Sequence, residues 1–293
     1  MKVAFIGLGS MGKPMAANIA KAGHELFVID SDASQAAKVA ADIGARALHS
    51  VSEVPAVDVV VTMLPDGNSV RAVALGEGGL ATTLKAGTIV VDMSSSQPLL
   101  TQETAAALAA KGIVLIDAPV SGGVERATRG TLTIMIGTDD PAAVERAQPV
   151  LSCMGNRFFT VGKSGSGHVA KTLNNVVAAC NFAVLAEALI VADRYGIDRE
   201  TLVDIVNVST GQSFASSVVA KQCVVTKGYN TGFKVGLLSK DVSIAAEFSA
   251  GLGCNTPIIH ATDARWIEAR DMLGPLEDHS RAIDAWAKES VEK

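Results

Sequence analysis

The first thirty residues constrain this chain more than any other stretch. Lys2-Val3-Ala4-Phe5-Ile6 is a short apolar run, and it leads straight into Gly7-Leu8-Gly9-Ser10-Met11-Gly12. A helical pattern from Lys13 to Ala22 stops at Gly23, and a second apolar run, Leu26 to Ile29, ends on Asp30. Strand, glycine turn, helix, strand and acid is the order of a βαβ unit that holds a dinucleotide. Gly7 allows the tight turn, Gly9 lets backbone approach a pyrophosphate, and Gly12 lets helix and strand pack closely. The helix N-terminus offers N–H groups and a partial positive charge to the phosphates. Gly7, Leu8, Gly9, Met11 and Gly12 are therefore the candidate cofactor contacts, with Asp30 placed to hydrogen-bond the ribose hydroxyls. A carboxylate there repels a 2′-phosphate, and Ser31-Asp32-Ala33-Ser34 includes no arginine. The pattern predicts NAD in preference to NADP.

The alternation continues. Ser34 to Ile43 reads as a helix closed by Gly44, Val57 to Met63 as an apolar strand, and Thr88 to Asp92 as another. A helix from Pro98 to Lys111 precedes a strand from Ile113 to Ile116. Thr131 to Ile136 and Phe158 to Val161 are later strands, with a helix from Pro141 to Leu151 between them. Strands that are apolar throughout, separated by helices, predict a parallel sheet covered on both faces. The fold class is α/β: a doubly wound (Rossmann) parallel sheet over residues 1–162, then an all-helical domain over 163–293. The run Gly162 to Gly167 reads as the hinge. A long helix, about 167–195, reads as buried between the domains because it is apolar or small on nearly every face. Further helices are predicted over 198–208, 214–225, 234–251, 257–272 and 279–292.

Charge and cysteine usage exclude several classes. Lys plus Arg number 25 against 30 Asp plus Glu, and no basic cluster appears, so neither nucleic acid nor an anionic membrane is a predicted partner. Cys153, Cys180, Cys223 and Cys254 are widely spaced and read as reduced core thiols, not disulfides or metal ligands. The stretch Val176 to Ala192 contains Asn181 and Glu187 and reads as too polar to span a bilayer. A cytoplasmic protein with no metal site is the expectation.

Ligands of such sheets bind outside the carboxyl ends of the strands. The turns there are Leu64-Pro65-Asp66, Met93-Ser94-Ser95-Ser96 and Asp117-Ala118-Pro119-Val120-Ser121-Gly122-Gly123. Ser94 to Ser96 can contact a ligand or simply cap the helix that begins near Pro98. Ser121, Gly122 and Gly123 can wrap a carboxylate or form an ordinary turn. On the long helix, Lys171 and Asn175 lie four residues apart, on one face. A lysine in an apolar helix is costly unless paired or lining a wet cleft, and a lowered pKa would make it an acid/base group near neutrality. It can also snorkel to the helix start. Lys240-Asp241 reads either as a site element or as an ion pair on a solvated face. No His–Asp dyad, zinc spacing or G-x-S-x-G motif is present, which leaves lysine as the best acid/base candidate.

Together these segments resemble the β-hydroxyacid dehydrogenases, the group of 3-hydroxyisobutyrate dehydrogenase, tartronate semialdehyde reductase and 2-(hydroxymethyl)glutarate dehydrogenase. Phe5 to Asn18 is similar to the family's cofactor signature, and Asp117 to Gly123 to its substrate motif. Gly130 to Gly137 is similar to the strand that follows, Gly165 to Asn175 to the catalytic motif, and Lys240-Asp241 to a later cofactor motif. The resemblance implies Lys171 as general acid/base, Asn175 orienting substrate, and Ser121, Gly122 and Gly123 binding its carboxylate. It also implies cofactor contacts from Leu64, Pro65, Ser95 and Lys240, and a homodimer or homotetramer formed through the helical domain.

The expected activity is NAD-dependent oxidation of a small 3-hydroxy acid, 3-hydroxyisobutyrate-like, to its semialdehyde. The alternatives are reduction of a related semialdehyde (tartronate semialdehyde, 2-formylglutarate or sulfolactaldehyde) or a non-catalytic dinucleotide sensor. Ser209 to Phe214 and the chain's end look closer to the hydroxymethylglutarate-type members. Yet the family's frequent Gly-Arg-Ser reads Gly211-Gln212-Ser213 here, and loss of that arginine argues against a second anionic group on the substrate.

Overall fold

The computed structural model describes residues 1–292. Its first part runs β1 (Lys2–Ile6), α1 (Gly12–Lys21), β2 (Glu25–Ile29), α2 (Ala33–Ile43), β3 (Arg46–Ala47), β4 (Val59–Thr62), α3 (Gly67–Leu75) and α4 (Leu80–Thr83). It continues with β5 (Ile89–Asp92), α5 (Pro98–Ala109), β6 (Val114–Asp117), β7 (Val120–Ser121), α6 (Gly123–Arg129), β8 (Leu132–Gly137), α7 (Pro141–Met154) and β9 (Gly155–Gly162). Alternation within each strand decides the layers. Val3 and Phe5 enter one core while Ala4 and Ile6 enter the other, and Val59 and Val61 part from Val60 in the same way. Both faces are thus apolar and both are covered by helices, which is why the strands read as unbroken hydrophobic runs. Helix α1 buries Gly12, Met15, Ala16 and Ile19, the one-face spacing of an amphipathic helix.

Strand order is β3-β2-β1-β4-β5-β6-β8-β7, with β9 beside β8. Pairing is parallel from β3 through β6. The order reverses at β1, so the crevice of a doubly wound sheet opens where the Gly7 turn leaves that strand. The sheet is mostly parallel, not wholly so. β8 runs antiparallel to β6 and β7, while β9 runs parallel to β8. The link from β7 to β8 holds only the short α6 and its turns, less chain than a parallel crossover needs. The edge strand β3 and helices α3, α4 and α6 were not legible in the periodicity, each being short.

The second part is helical: α8 (Ser166–Tyr195), α9 (Arg199–Asn207), a π-helix over Ala215–Val224, α10 (Val235–Gly251), α11 (Pro257–Leu273), a 3₁₀ turn at His279–Arg281, and α12 (Ala282–Glu292). Phe182, Trp266 and Trp286 pack together within its otherwise aliphatic core. The rings of Trp266 and Trp286 meet edge-to-face at 5.3 Å, and Phe182 lies 5.8 Å from Trp266. Each indole N–H finds a backbone carbonyl, Ala179 for Trp266 and Arg265 for Trp286. Burial among these rings lowers the pKa of His279.

Contact density divides the chain into compact units Met1–Lys171 and Thr172–Lys293, the division falling inside α8; Lys293 itself lies outside the described residues. Three expectations change. By length and hydropathy α8 is apolar enough to cross a bilayer despite Asn181 and Glu187, but 56% of its most apolar window is buried in the protein. That burial is incomplete: Leu173, Val177, Val184 and Val191 form an exposed stripe along α8. The four thiols are free, but only Cys223 is a core residue, and Cys254 is exposed.

The start of α8 is fixed by a carboxylate from the sheet. Asp117, fully buried at the end of β6, accepts Gly165 N–H at 2.7 Å through Oδ1 and His168 N–H at 3.1 Å through Oδ2. These amides belong to the end of a helix that has no internal acceptor for them. Two glycines make room: a Cβ on Gly137 would come within 2.6 Å of Asp117 Oδ2, and one on Gly167 within 2.8 Å. The Gly162 to Gly167 run is therefore held to the sheet through Asp117. Burial pushes the Asp117 carboxyl above its ordinary value, while His168 and the two backbone N–H bonds pull the other way. The folded chain thus keeps this proton to higher pH than the unfolded chain, whose carboxyl titrates near 3.8. Asp117's stabilisation is full below that value and declines as pH rises through the folded value. An Asp117→Asn variant lacks the decline, so the gap in urea stability between wild type and variant narrows as pH rises above about 4. A constant or widening gap would contradict burial as the controlling cause.

Candidate functional site

The glycine turn is built in two different ways. Gly7 has φ +98°, and its N–H donates to Ile29 O at 2.9 Å. A side chain on Gly7 would collide with the Met63 carbonyl, and one on Gly12 with the Gly7 carbonyl. A Cβ on Gly9 meets nothing within 4 Å. Two glycines thus serve packing, and the third leaves open space beside bare backbone. Met11, at the N-cap of α1, brings no side-chain acceptor to the helix end.

Asp30 follows β2 and faces this turn. Its Oδ2 accepts Leu8 N–H at 2.7 Å and its Oδ1 accepts Asp32 N–H at 2.9 Å. The other side of Leu8 is held by Gln35, whose Nε2 donates to Leu8 O at 2.6 Å. Nothing in the local residue pattern announces this contact. Gln35 is the third residue of α2, and Asp32-x-x-Gln35 reads as a local capping box. Asp32 caps α2 as that motif requires, and bonds from the Ser34 hydroxyl and from the Gln35 and Ser34 amides lower its pKa. Two acids, Asp30 and Asp32, therefore stand beside the turn. A bare Gly9, an open helix N-terminus and an oriented Asp30 fit a dinucleotide whose ribose lacks a 2′-phosphate.

Leu64 and Pro65 leave β4, and Ser95 leaves β5, at the same edge of the sheet as Gly7. Leu64 N–H donates to Ser94 Oγ at 2.9 Å. Ser96 Oγ donates to Asp92 Oδ2 at 3.4 Å. Capping is not the role of these serines: the N-cap of α5 is Gln97, and no side chain caps it. Ser94 and Ser96 are buried and bonded inward, while Ser95 between them is half-buried. Ser121 ends β7 opposite Thr133. Gly122 and Gly123 follow with φ +137° and +67°, conformations that favour glycine. A Cβ on Gly122 would strike Arg126, whereas Gly123 faces open space.

Lys171 is half-buried on α8, at the end of the first unit. One turn further on, in the second unit, Asn175 is 7% exposed and its Nδ2 donates to Asp241 Oδ2 at 2.7 Å. Asn174 Nδ2 reaches Asn175 Oδ1 at 3.2 Å. Lys240 Nζ lies 3.4 Å from Asp241 Oδ1. Asp241 is buried, so this pair does not sit on a solvated face. The candidate residues thus gather in two sets. The glycine turn, Asp30, Leu64, Pro65, Ser95, Ser121 to Gly123 and Lys171 belong to the first unit. Asn175 and Lys240 are joined through Asp241 in the second.

Comparison with known proteins gives the family. Residues 2–162 match the family described as the NAD binding domain of 6-phosphogluconate dehydrogenase. Residues 165–286 match the NAD-binding family of NADP-dependent 3-hydroxyisobutyrate dehydrogenase. The 2-(hydroxymethyl)glutarate dehydrogenase of Eubacterium barkeri is 39% identical over 98% of this chain and 95% of its own. The 3-hydroxyisobutyrate dehydrogenase of Pseudomonas aeruginosa is 37% identical over 87% of this chain and 88% of its own. Among solved structures, Mycobacterium tuberculosis 3-hydroxyisobutyrate dehydrogenase with L-serine superposes with a TM-score of 0.88 at 30% identity, covering 97% of this chain and 98% of that one. Matches to both halves in order, and relatives aligned over nearly their full length, make the chain a member of the β-hydroxyacid dehydrogenase family, NAD-binding oxidoreductases of the CH–OH group.

Proposed function

We propose that the protein oxidises the alcohol of a small 3-hydroxy acid, 3-hydroxyisobutyrate-like, to the semialdehyde, with Lys171 as general base. One observation carries the reading. Lys171 and Asn175 stand one turn apart on α8, and the buried Asp241 fixes the amide of Asn175 with Nδ2 toward the carboxylate. The neutral Lys171 amine takes the substrate hydroxyl proton as the C–O bond becomes C=O, and the ammonium returns it in the reverse direction. When bound, the nicotinamide cofactor supplies the acceptor for the hydrogen that leaves carbon with its electron pair. Asn175 offers Oδ1 and its remaining N–H to hold the reacting oxygen in register. Ser121, Gly122 and Gly123 receive the substrate carboxylate, Gly123 with unfilled space at its Cα. Gly7, Leu8, Gly9, Met11, Gly12, Leu64, Pro65, Ser95 and Lys240 contact the cofactor, and Asp30 selects NAD.

Gln212, exposed and uncharged, replaces the arginine frequent in the family, which favours a monocarboxylate over a dicarboxylate. The exposed stripe Leu173, Val177, Val184 and Val191 repeats at helical spacing and suits a second copy of the chain, giving a cytoplasmic homodimer or homotetramer.

Three experiments test this reading. In a steady-state panel of 3-hydroxyisobutyrate, L-serine and 2-(hydroxymethyl)glutarate, Lys171→Ala lowers kcat by about 10²–10⁴-fold while NADH affinity stays within about threefold. Turnover that survives the substitution removes Lys171 from the chemistry, and a wild type inert across the panel favours a dinucleotide sensor. Asp30→Ala lowers the NAD-over-NADP ratio of kcat/KM by about tenfold or more; an unchanged ratio contradicts the role of Asp30. Val184→Lys, measured by sedimentation velocity, shifts the protein toward monomer; an unchanged distribution rules out the stripe as the interface.

A further inference from the structure

His168 lies one turn before Lys171 on α8, has no exposed side-chain surface, and carries no role in the reading above, on which the following rests. Its ring joins three elements. Nε2 is 3.0 Å from Ser94 O and 3.7 Å from Asp92 Oδ2, and Nδ1 is 2.9 Å from Thr101 Oγ1. A carbonyl oxygen only accepts, so Nε2 carries the proton and donates to Ser94. Thr101 satisfies the other ring nitrogen from α5.

Ser94 is tied at every polar atom. Its N–H donates to Asp92 Oδ1 at 3.1 Å, its Oγ accepts Leu64 N–H, and its carbonyl accepts the His168 ring N–H. Asp92 in turn accepts the Thr62 hydroxyl at 2.8 Å. The peptide between Ser94 and Ser95 therefore takes its position from His168, and Leu64 takes its position from Ser94. These are the residues assigned to the cofactor after β4 and β5. The backbone of His168 is meanwhile held by Asp117.

We propose that His168 is a positioning residue. Its Nε2–H fixes Ser94, and through it Ser95 and Leu64–Pro65, against the helical turn that carries Lys171. The two strand-end loops and the acid/base residue then move as one body.

Two substitutions separate the ring nitrogens. His168→Gln places an amide N–H where Nε2 lies, and His168→Asn places one where Nδ1 lies. Amide hydrogen exchange of the ligand-free protein and NADH titration by fluorescence are the readouts, neither of which needs turnover. In His168→Asn, exchange over residues 93–97 and 63–66 rises by about tenfold, and the NADH Kd rises by about tenfold. His168→Gln stays within about threefold of wild type in both. A purely structural histidine would give the same result in both variants, with exchange raised over the whole first unit, and that would overturn the proposal. So would local exchange that rises while NADH affinity holds. Lys171→Met in parallel keeps the two claims apart. If it retains turnover, the base assignment fails while the exchange result still judges His168. If it is inactive and His168→Asn matches wild type in exchange and affinity, only the His168 proposal fails.

Discussion

A carboxylate with no exposed surface, Asp117, faces the N-terminal turn of a thirty-residue helix, and the geometry of the candidate site follows from that encounter. Taking a charged carboxylate out of water is expensive. Two backbone N–H donors and the positive end of the helix dipole repay part of the cost, as charge-assisted hydrogen bonds at helix ends do. The raised pKa of Asp117 shows that burial still outweighs them. What the arrangement yields is position. It ties the first turn of α8 to the end of β6, and so places Lys171 at a fixed distance along a rigid rod from the sheet edge where the glycine turn lies.

The same device recurs along that edge. Asp30, Asp92 and Asp117 stand at the ends of β2, β5 and β6, and each accepts backbone N–H groups from the loop or helix beside it. Asp30 holds Leu8, Asp92 holds Ser94, and Asp117 holds Gly165 and His168. An acid at the carboxyl end of a parallel strand can reach donors that a hydrophobic residue would leave unsatisfied. Loops that would otherwise be mobile acquire a defined backbone path without bulky side chains, which keeps the crevice open. Asp30 differs from the other two in being only half-buried, and it is the one assigned to a ligand.

The βαβ unit was legible because each piece states a physical requirement locally: apolar alternation, positive φ at Gly7, and an acid at the right remove. The helical half was legible from periodicity, though periodicity could not say that Ala215–Val224 winds as a π-helix. What sequence reasoning missed is what depends on side chains meeting across the fold. Gln35 reads as a local cap but bonds to Leu8, and the Lys240-Asp241 pair, open in the sequence between a site element and a surface ion pair, reaches Asn175 through Asp241. Nothing local in the sequence shows that His168 meets Ser94 and Thr101. A fully apolar α8 suggested complete burial, because a hydropathy pattern cannot tell a covered face from an exposed apolar stripe. Short elements such as β3 and α6 hold too few residues for a period to emerge.

Lys171 closes one compact unit and Asn175 lies in the next, yet both sit on one uninterrupted helix. An α-helix rises about 1.5 Å per residue and repeats every 3.6, so four residues bring the two side chains onto one face by backbone geometry alone. Each is then steadied from its own unit. The Asp117 cap and the His168 contacts hold the turn before Lys171, and Asp241 holds the amide of Asn175. The roles proposed for Lys171 and Asn175 require agreement to within fractions of an ångström, which a flexible connection would not deliver. Placing both on a continuous helix makes their relative position a property of the hydrogen-bond ladder.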